Sequence, residues 1–395
     1  MTLRQKIQQE IRERGPIPFS RYMDLCLYDP ELGYYSRNAE QFGKAGDFYT
    51  SSDVHAVFGR LVARQFEEMW RGLGSPDKIE ILEFGPGRGL FAQDVLDWSE
   101  KKFPEFFSAA HYTLVESSPA LRERLQATLS KHFRSAKVSL PQLLKPPSYD
   151  AVYGTAEAVP SHGFCSLAPE VPVIVFANEF FDALPVEVLS PSGELRISEK
   201  DGRLLESWSP ASAEELEFLD RYSVHPEAGE RIEVPLIAQR YMSQIAAAVK
   251  RGFILAIDYG YTRQEQLAGR HRGTLAAYRQ HSVSANPYEA PGEQDITAHV
   301  NFTAIAAAAE EQGMQVQPLV TQSQFLLGIG EANQFADAFE ECRLPQERAK
   351  VALQLKHLVT PAGMGETFHV LIASKGIADE KVAGLSGLSF GKTKS

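Results

Sequence analysis

Residues 79–96, IEILEFGPGRGLFAQDVL, constrain this chain more than any other stretch. An apolar strand ends at Glu83 and Phe84, the chain turns on Gly85, Gly87 and Gly89, and apolar residues resume at helical spacing at Leu90, Phe91, Val95 and Leu96. Strand, glycine turn and helix form a grammar used to hold nucleotides. A side chain at the turn would keep the backbone away from a ligand, and the free N–H groups that open the helix attract negative charge. The same letters fit a tight turn in an ordinary α/β domain, so the motif needs support from elsewhere in the chain.

The spacing narrows the choice. Gly85-Pro86-Gly87-Arg88-Gly89 is GxGxG with an acid, Glu83, two positions before it, and differs from the GxGxxG of dinucleotide-binding folds. It resembles motif I of Rossmann-like methyltransferases that use S-adenosylmethionine. That resemblance implies that Glu83, Gly85, Pro86, Gly87 and Gly89 surround the methionine and ribose parts of the cofactor. A second strand over residues 111–115 ends at Glu116, followed by Ser117. A carboxylate at that place accepts hydrogen bonds from both ribose hydroxyls, although a solvated strand-end acid has the same sequence.

With 395 residues the chain has room for two or three units of ordinary size. The alternation of elements predicts one α/β domain carrying an N-terminal addition and an insertion: residues 1–75 as a helical and aromatic cap, 76–185 and 251–376 as the Rossmann-like domain, 186–250 as a substrate-side subdomain, and 377–395 as a mobile tail. A formal net charge of −11 disfavours nucleic acid held on a broad basic surface. Cys26, Cys165 and Cys342 are far apart and signal neither a disulfide framework nor a zinc site. No apolar run approaches the ~18 residues needed to span a membrane, and the N-terminus lacks a signal-peptide core. These features predict a cytoplasmic protein without membrane insertion; oligomeric state is not legible.

Taken in order, residues 2–14 read as an amphipathic helix built on Leu3, Ile7 and Ile11, and the aromatic run over residues 22–35 reads as local core rather than a ligand cage. Residues 54–69 keep helical period, with Ser52 or Asp53 as N-cap. A third strand is expected over 149–153. The clearest strand, residues 171–177, is nearly all apolar, as a central parallel strand covered on both faces must be. It runs into Asn178-Glu179-Phe180-Phe181-Asp182, and ligand chemistry in such sheets lies beyond the carboxyl ends of the strands. Short strands are expected within 187–208, a returning helix over 235–250, and a fifth strand over 252–257 ending at Asp258. Residues 273–301 read as one long functional loop containing Asp295 and His299. Last come a helix over 303–312, strands over 316–320 and 367–374, and helices between these.

Together the blocks GDFYTSSDV, LEFGPGRG, ANEFFDALPV, AIDYGY and GEQDITAHVNF are similar to the signature blocks of the MidA-like methyltransferases, over about residues 15–376. This is the family of the mitochondrial complex I assembly factor that dimethylates an arginine of a core respiratory subunit. The resemblance implies a class I methyltransferase fold: a mostly parallel seven-stranded sheet with an antiparallel edge. It also implies S-adenosylmethionine as cofactor and a protein acceptor, with a respiratory complex I subunit as one candidate. Asp47, Thr50 and Asn178 join the expected cofactor contacts. Residues 137–170 depart from the family pattern, which leaves Glu157 and its neighbours weak candidates for the adenine side.

The chemistry needs no metal and no covalent nucleophile, because the sulfonium already makes the methyl electrophilic; in-line alignment and water exclusion are what remain. An arginine acceptor offers a planar N–H fork that carboxylates orient. Glu179 and Asp182 form the expected pair, with Asp295 and His299 as further catalytic candidates on a closing loop. The alternative for Glu179, less favoured, is an interaction with a helix N-terminus, and Asp182 could equally cap that helix. His271 and His281 show no metal spacing with His299. Two other classes stay open at this level: an assembly factor that binds the cofactor without catalysis, and a nicotinamide-dependent oxidoreductase, which the short glycine spacing disfavours.

Overall fold

The computed structural model describes residues 1–36, 56–141, 171–279, 282–284 and 286–390. Its central sheet contains the parallel strands Val138–Ser139, Ala110–Val115, Ile79–Phe84, Val173–Asn178 and Gly252–Tyr261, side by side in that order. Phe368–Lys375 follows antiparallel to Gly252–Tyr261, and the short strands Gln315–Val316 and Val320–Thr321 pair antiparallel on its far side. The expected seven-strand path with an antiparallel edge is therefore present. Two short strands off that path, Val300–Asn301 and Val320–Thr321, bring the sheet to nine strands among the described residues.

Strand alternation explains how the sheet is covered. Ile174 and Phe176 face one core, while Val175 and Ala177 face the other. The first core holds helices Ala56–Gly72 and Leu90–Lys102, whose Phe66 and Phe91 close on Phe176; the Phe91 ring stacks on Phe176 at 4.3 Å. The second holds Leu236–Ala248 and Phe302–Glu311. A fully apolar strand is stable here because neither of its faces meets water.

A five-stranded sheet is built from Ile17–Pro18, Gly193–Lys200, Glu187–Ser190 and Ile232–Val234, with Arg203–Ser209 paired to Gly193–Lys200. Helices Leu3–Arg14 and Phe19–Tyr28 pack on it, burying Ile7, Phe19, Tyr22 and Met23 with Val188, Leu195 and Ile197. Ala277 and Ile296 join the same core from a small sheet of Ser282–Ser284, Ala276–Arg279 and Asp295–Thr297.

Five sequence expectations change. The segment over 273–301, expected as one long loop, contributes this small sheet and strand Val300–Asn301, because Ala277 and Ile296 have a core to enter. Helix Ala56–Gly72 belongs to the main core and not to an N-terminal cap, and helix Leu236–Ala248 belongs to the central sheet and not to the insertion. No helix follows Asn178: a turn leads directly to the strand at Glu187, so neither Glu179 nor Asp182 sits at a helix start. The segment after Gly376 is not loose through residue 390. It forms helix Asp379–Ala383 and a short turn at Ser386–Leu388, buries Leu385 and Leu388, and donates the Ser386 and Gly387 N–H groups to Glu68 and Gln65. The strand expected over 149–153, with Ser52, Asp53, Glu157, Cys165 and His281, lies outside the described residues.

On the five-stranded sheet, Glu187 and Glu194 meet Glu215 of helix Ala213–Tyr222, and the three bring buried carboxylate oxygens within 4.8 Å of one another. Ser20 donates its hydroxyl and its N–H to Glu187. Burial pushes the Glu187 carboxyl up to about 8; the Ser20 hydroxyl opposes the shift, and Glu194 and Glu215 add to it. The folded chain thus holds a proton that the unfolded chain releases near 4.5, so this group lowers stability as pH rises through that window toward 8. Glu187→Gln is expected to remove that decline. Thermal melting of both proteins from about pH 5 to 9 checks it, and parallel curves would assign the pH dependence elsewhere.

Candidate active site

Three adjacent strand ends build the site. Ile79–Phe84 lies between Ala110–Val115 and Val173–Asn178, so Glu116 and Asn178 emerge on opposite sides of the glycine turn. Glu83 is buried and accepts a 2.8 Å hydrogen bond from the Tyr112 hydroxyl. Desolvation pushes its carboxyl up to about 8, with the Tyr112 bond acting the other way.

The turn uses its glycines for different purposes. Gly85 has φ of +63° and Gly89 +77°, a region that side chains rarely enter. A Cβ on Gly85 would stand 3.1 Å from Phe180 Cδ2, on the cleft wall. A Cβ on Gly89 would stand 2.7 Å from Leu125 Cδ2 of helix Pro119–Thr128. Gly89 is therefore a packing glycine and does not line the cleft, contrary to expectation; helix approach is what excludes a side chain there.

On one side of the turn, Glu116 accepts the Ser118 N–H at 2.7 Å. Burial raises its carboxyl to about 7 against the opposing backbone N–H groups of Ser118 and Ser117. On the other side, Glu179 adopts φ of +49°, unusual for a residue with a side chain. Its N–H is held by the Ile257 carbonyl at 2.9 Å, and Asn178 Nδ2 donates to its Oε1 at 3.1 Å. The next turn is gathered by Asp258, whose Oδ2 accepts the N–H groups of Phe180, Phe181 and Asp182 at 3.1, 3.0 and 3.4 Å. Asp258 does not end its strand, which runs on to Tyr261, contrary to expectation; from inside the strand it organises the rim.

Asp182 accepts the Tyr259 hydroxyl through Oδ2, while its buried Oδ1, like Oδ1 of Asn178, has no partner among the described residues. Burial raises the carboxyls of both Asp182 and Asp258, and Asp182 raises Asp258 further. The Ala298 N–H donates to the Asp182 carbonyl at 3.0 Å, which ties the segment carrying Asp295 to this rim.

Glu83, Gly85, Glu116, Glu179 and Asp182 line one cleft of about 1140 Å³, solvent at its mouth included. Of the sequence candidates it gathers Glu83, Gly85, Pro86, Gly87, Glu116 and Ser117, and on the far side Asn178, Glu179, Asp182 and Asp295. Asp47 and Thr50 lie outside the described residues. His299 does not join the cleft. Its Nδ1 lies 3.3 Å from Nδ1 of His271, and its ring meets the edge of Tyr259, behind the hydroxyl that holds Asp182. Burial, with repulsion from His271 and His369, drives its pKa down to about 4, so it is neutral near pH 7. The expected catalytic role for His299 is withdrawn on that geometry.

Sequence reasoning missed Tyr28, Tyr35, Phe180 and Tyr241, which complete the walls. The aromatic run over residues 22–35 was a visible signal for two of them, but spacing alone cannot tell a cleft wall from core.

The cleft suits an S-adenosyl nucleoside: a backbone cradle that a Gly85 side chain would invade, a buried acid, Glu116, at the neighbouring strand end, and two buried acceptor oxygens without a partner among the described residues. Fold and site together define a Rossmann-like, class I methyltransferase. The family model described as "Putative S-adenosyl-L-methionine-dependent methyltransferase" matches residues 61–320. The chain belongs to that family, and is an S-adenosylmethionine-dependent enzyme.

Among its relatives, the protein arginine methyltransferase NDUFAF7 homolog of Drosophila melanogaster is 31% identical over 95% of this chain and 85% of its own length. Human protein arginine methyltransferase NDUFAF7 is 28% identical over 92% and 81%. A COG1565 superfamily member from Burkholderia thailandensis, whose crystal structure holds S-adenosyl-homocysteine, matches with a TM-score of 0.80 and 28% identity over 98% of this chain and 94% of that one. Both named animal relatives are mitochondrial. That overturns the cytoplasmic expectation: free thiols and the lack of a membrane-length apolar run do not separate one reducing compartment from another.

Proposed function

We propose that this enzyme methylates an arginine side chain of a protein, with a subunit of respiratory complex I as the candidate target class. One observation carries the reading: Glu179 and Asp182 from a single turn, and Asp295 from a segment more than a hundred residues away, line one cleft across the glycine turn from Glu116. Arginine methyltransferase relatives support the choice of acceptor.

When bound, S-adenosylmethionine supplies a methyl group already activated by its sulfonium. Glu116 and Ser117 would hold the ribose side, and the backbone of Gly85 and Gly87 the methionine side. Glu179 and Asp295 would take the N–H fork of the guanidinium and offset its charge beside the sulfonium. As the acceptor nitrogen forms its bond to carbon, the carbon–sulfur pair stays on sulfur and one N–H proton must leave. Asp182 would receive it: Oδ1 is buried at the cleft, and Tyr259 stabilises the carboxylate through Oδ2.

The test incubates the protein and labelled cofactor with extract that lacks the activity, then maps the label. Label on arginine of a protein is the expected result. Label on lysine, or on a small molecule only, would sink the proposal.

A further inference from the structure

Tyr28 and Tyr35 reach the cleft from outside the methyltransferase sheet. Tyr28 ends helix Phe19–Tyr28, and Tyr35 lies in the single turn Tyr34–Ser36. The bend between them is built: Asp29 accepts the N–H groups of Glu31 and Leu32 at 3.2 and 3.1 Å, its carbonyl accepts that of Gly33 at 2.9 Å, and Lys6 pairs with its carboxylate. Each phenol is then fastened at the acidic rim. Tyr28 donates to the Ala183 carbonyl at 2.9 Å, and Tyr35 to Asp295 Oδ1 at 3.0 Å.

We propose that Tyr28 and Tyr35 are the acceptor-selecting wall of this site, a flat aromatic face on which a planar guanidinium stacks while Asp295, aimed by Tyr35, takes the edge of its N–H fork. The proposal rests on the arginine reading above and adds what enforces it. The two rings lie 5.5 Å apart, inclined by 32°. A cation inserted between them would need roughly 7 Å, two contacts of about 3.5 Å, so the cation lies on the cleft side of the pair. A guanidinium is flat, weakly hydrated and stacks on aromatic faces; a lysine ammonium is a compact, strongly hydrated charge that gains less there. Burial, reinforced by the charges of Asp182 and Asp295, keeps both phenols protonated, so they remain donors to the rim.

The experiment titrates the protein, saturated with S-adenosylhomocysteine, with two Gly/Ser peptides that differ only in a central Arg or Lys. Wild type is expected to bind the Arg peptide about tenfold more tightly. Tyr35→Phe keeps the ring and releases Asp295, and should cut that preference to about threefold. Tyr35→Leu should abolish it. Affinity for S-adenosylhomocysteine should not move in either variant, and Tyr35→Phe preserves the packing if Tyr35→Leu fails to fold. Equal binding of both peptides by wild type, full preference in Tyr35→Phe, or a loss confined to S-adenosylhomocysteine affinity each overturns the wall. Failure of the parent reading looks different: label on lysine in extract, with the peptide preference intact, refutes arginine transfer and leaves the selection standing.

Discussion

Glu179→Gln is expected to lower kcat by about 10²- to 10³-fold while S-adenosylhomocysteine affinity stays within about twofold. The substitution keeps the shape of the side chain and leaves the backbone at φ of +49° undisturbed, so it removes charge and little else. Charge is what the transfer uses. Donor and acceptor are both cationic when they meet, and a carboxylate on a partly buried rim offsets that repulsion far better than an amide in a cleft screened from water. The strained backbone of Glu179 has the same explanation: its N–H is tethered to Ile257 and the following turn to Asp258, which hold the carboxylate over the cleft. Stopped-flow or steady-state transfer rates, with calorimetry on S-adenosylhomocysteine, separate the outcomes. A fall in cofactor affinity with kcat preserved would move Glu179 to the cofactor side.

Gly85→Val should weaken S-adenosylhomocysteine binding by about 100-fold or more, equivalent to about 2.7 kcal/mol. A first carbon at that position already stands 3.1 Å from Phe180, and two further methyl groups must displace the ring or fill the cradle. The φ of +63° adds strain that a β-branched residue meets at full cost. Gly89→Val makes the informative comparison, because its clash is with Leu125 of helix Pro119–Thr128 and with Leu129, the residue that caps it. It should lower the melting temperature, whereas Gly85→Val should act chiefly on binding. Equal cofactor affinity in wild type and Gly85→Val would remove the glycine turn from the site.

Much of this was legible because the signals are local. The apolar run before Glu83 and the glycines after it state a strand and a turn through backbone sterics alone, and the all-apolar strand before Asn178 states its central place. Glu116 and the rim at Glu179 were found by one rule, that ligands lie beyond the carboxyl ends of parallel strands. His299 shows where such reading stops. It sits four residues from Asp295, yet the strand ends at Thr297 and Ala298 turns the chain to bond Asp182, so the imidazole goes to Tyr259 and His271. The C-terminal segment shows the same limit from composition: Gly and Ser suggested looseness, but Leu385 and Leu388 find an apolar core, and Gln65 and Glu68 accept its N–H groups.

The glycine turn, the central apolar strand and the class of enzyme were written in the sequence, because periodicity, φ preference and strand-end position act over a few residues at a time. Which acids share a cleft, and that two N-terminal tyrosines close it, were decided by tertiary structure. Tyr35 and Asp295 are 260 positions apart and meet through one hydrogen bond. Only the packing of the N-terminal helices on the inserted sheet, and of both against the strand ends, brings them within reach.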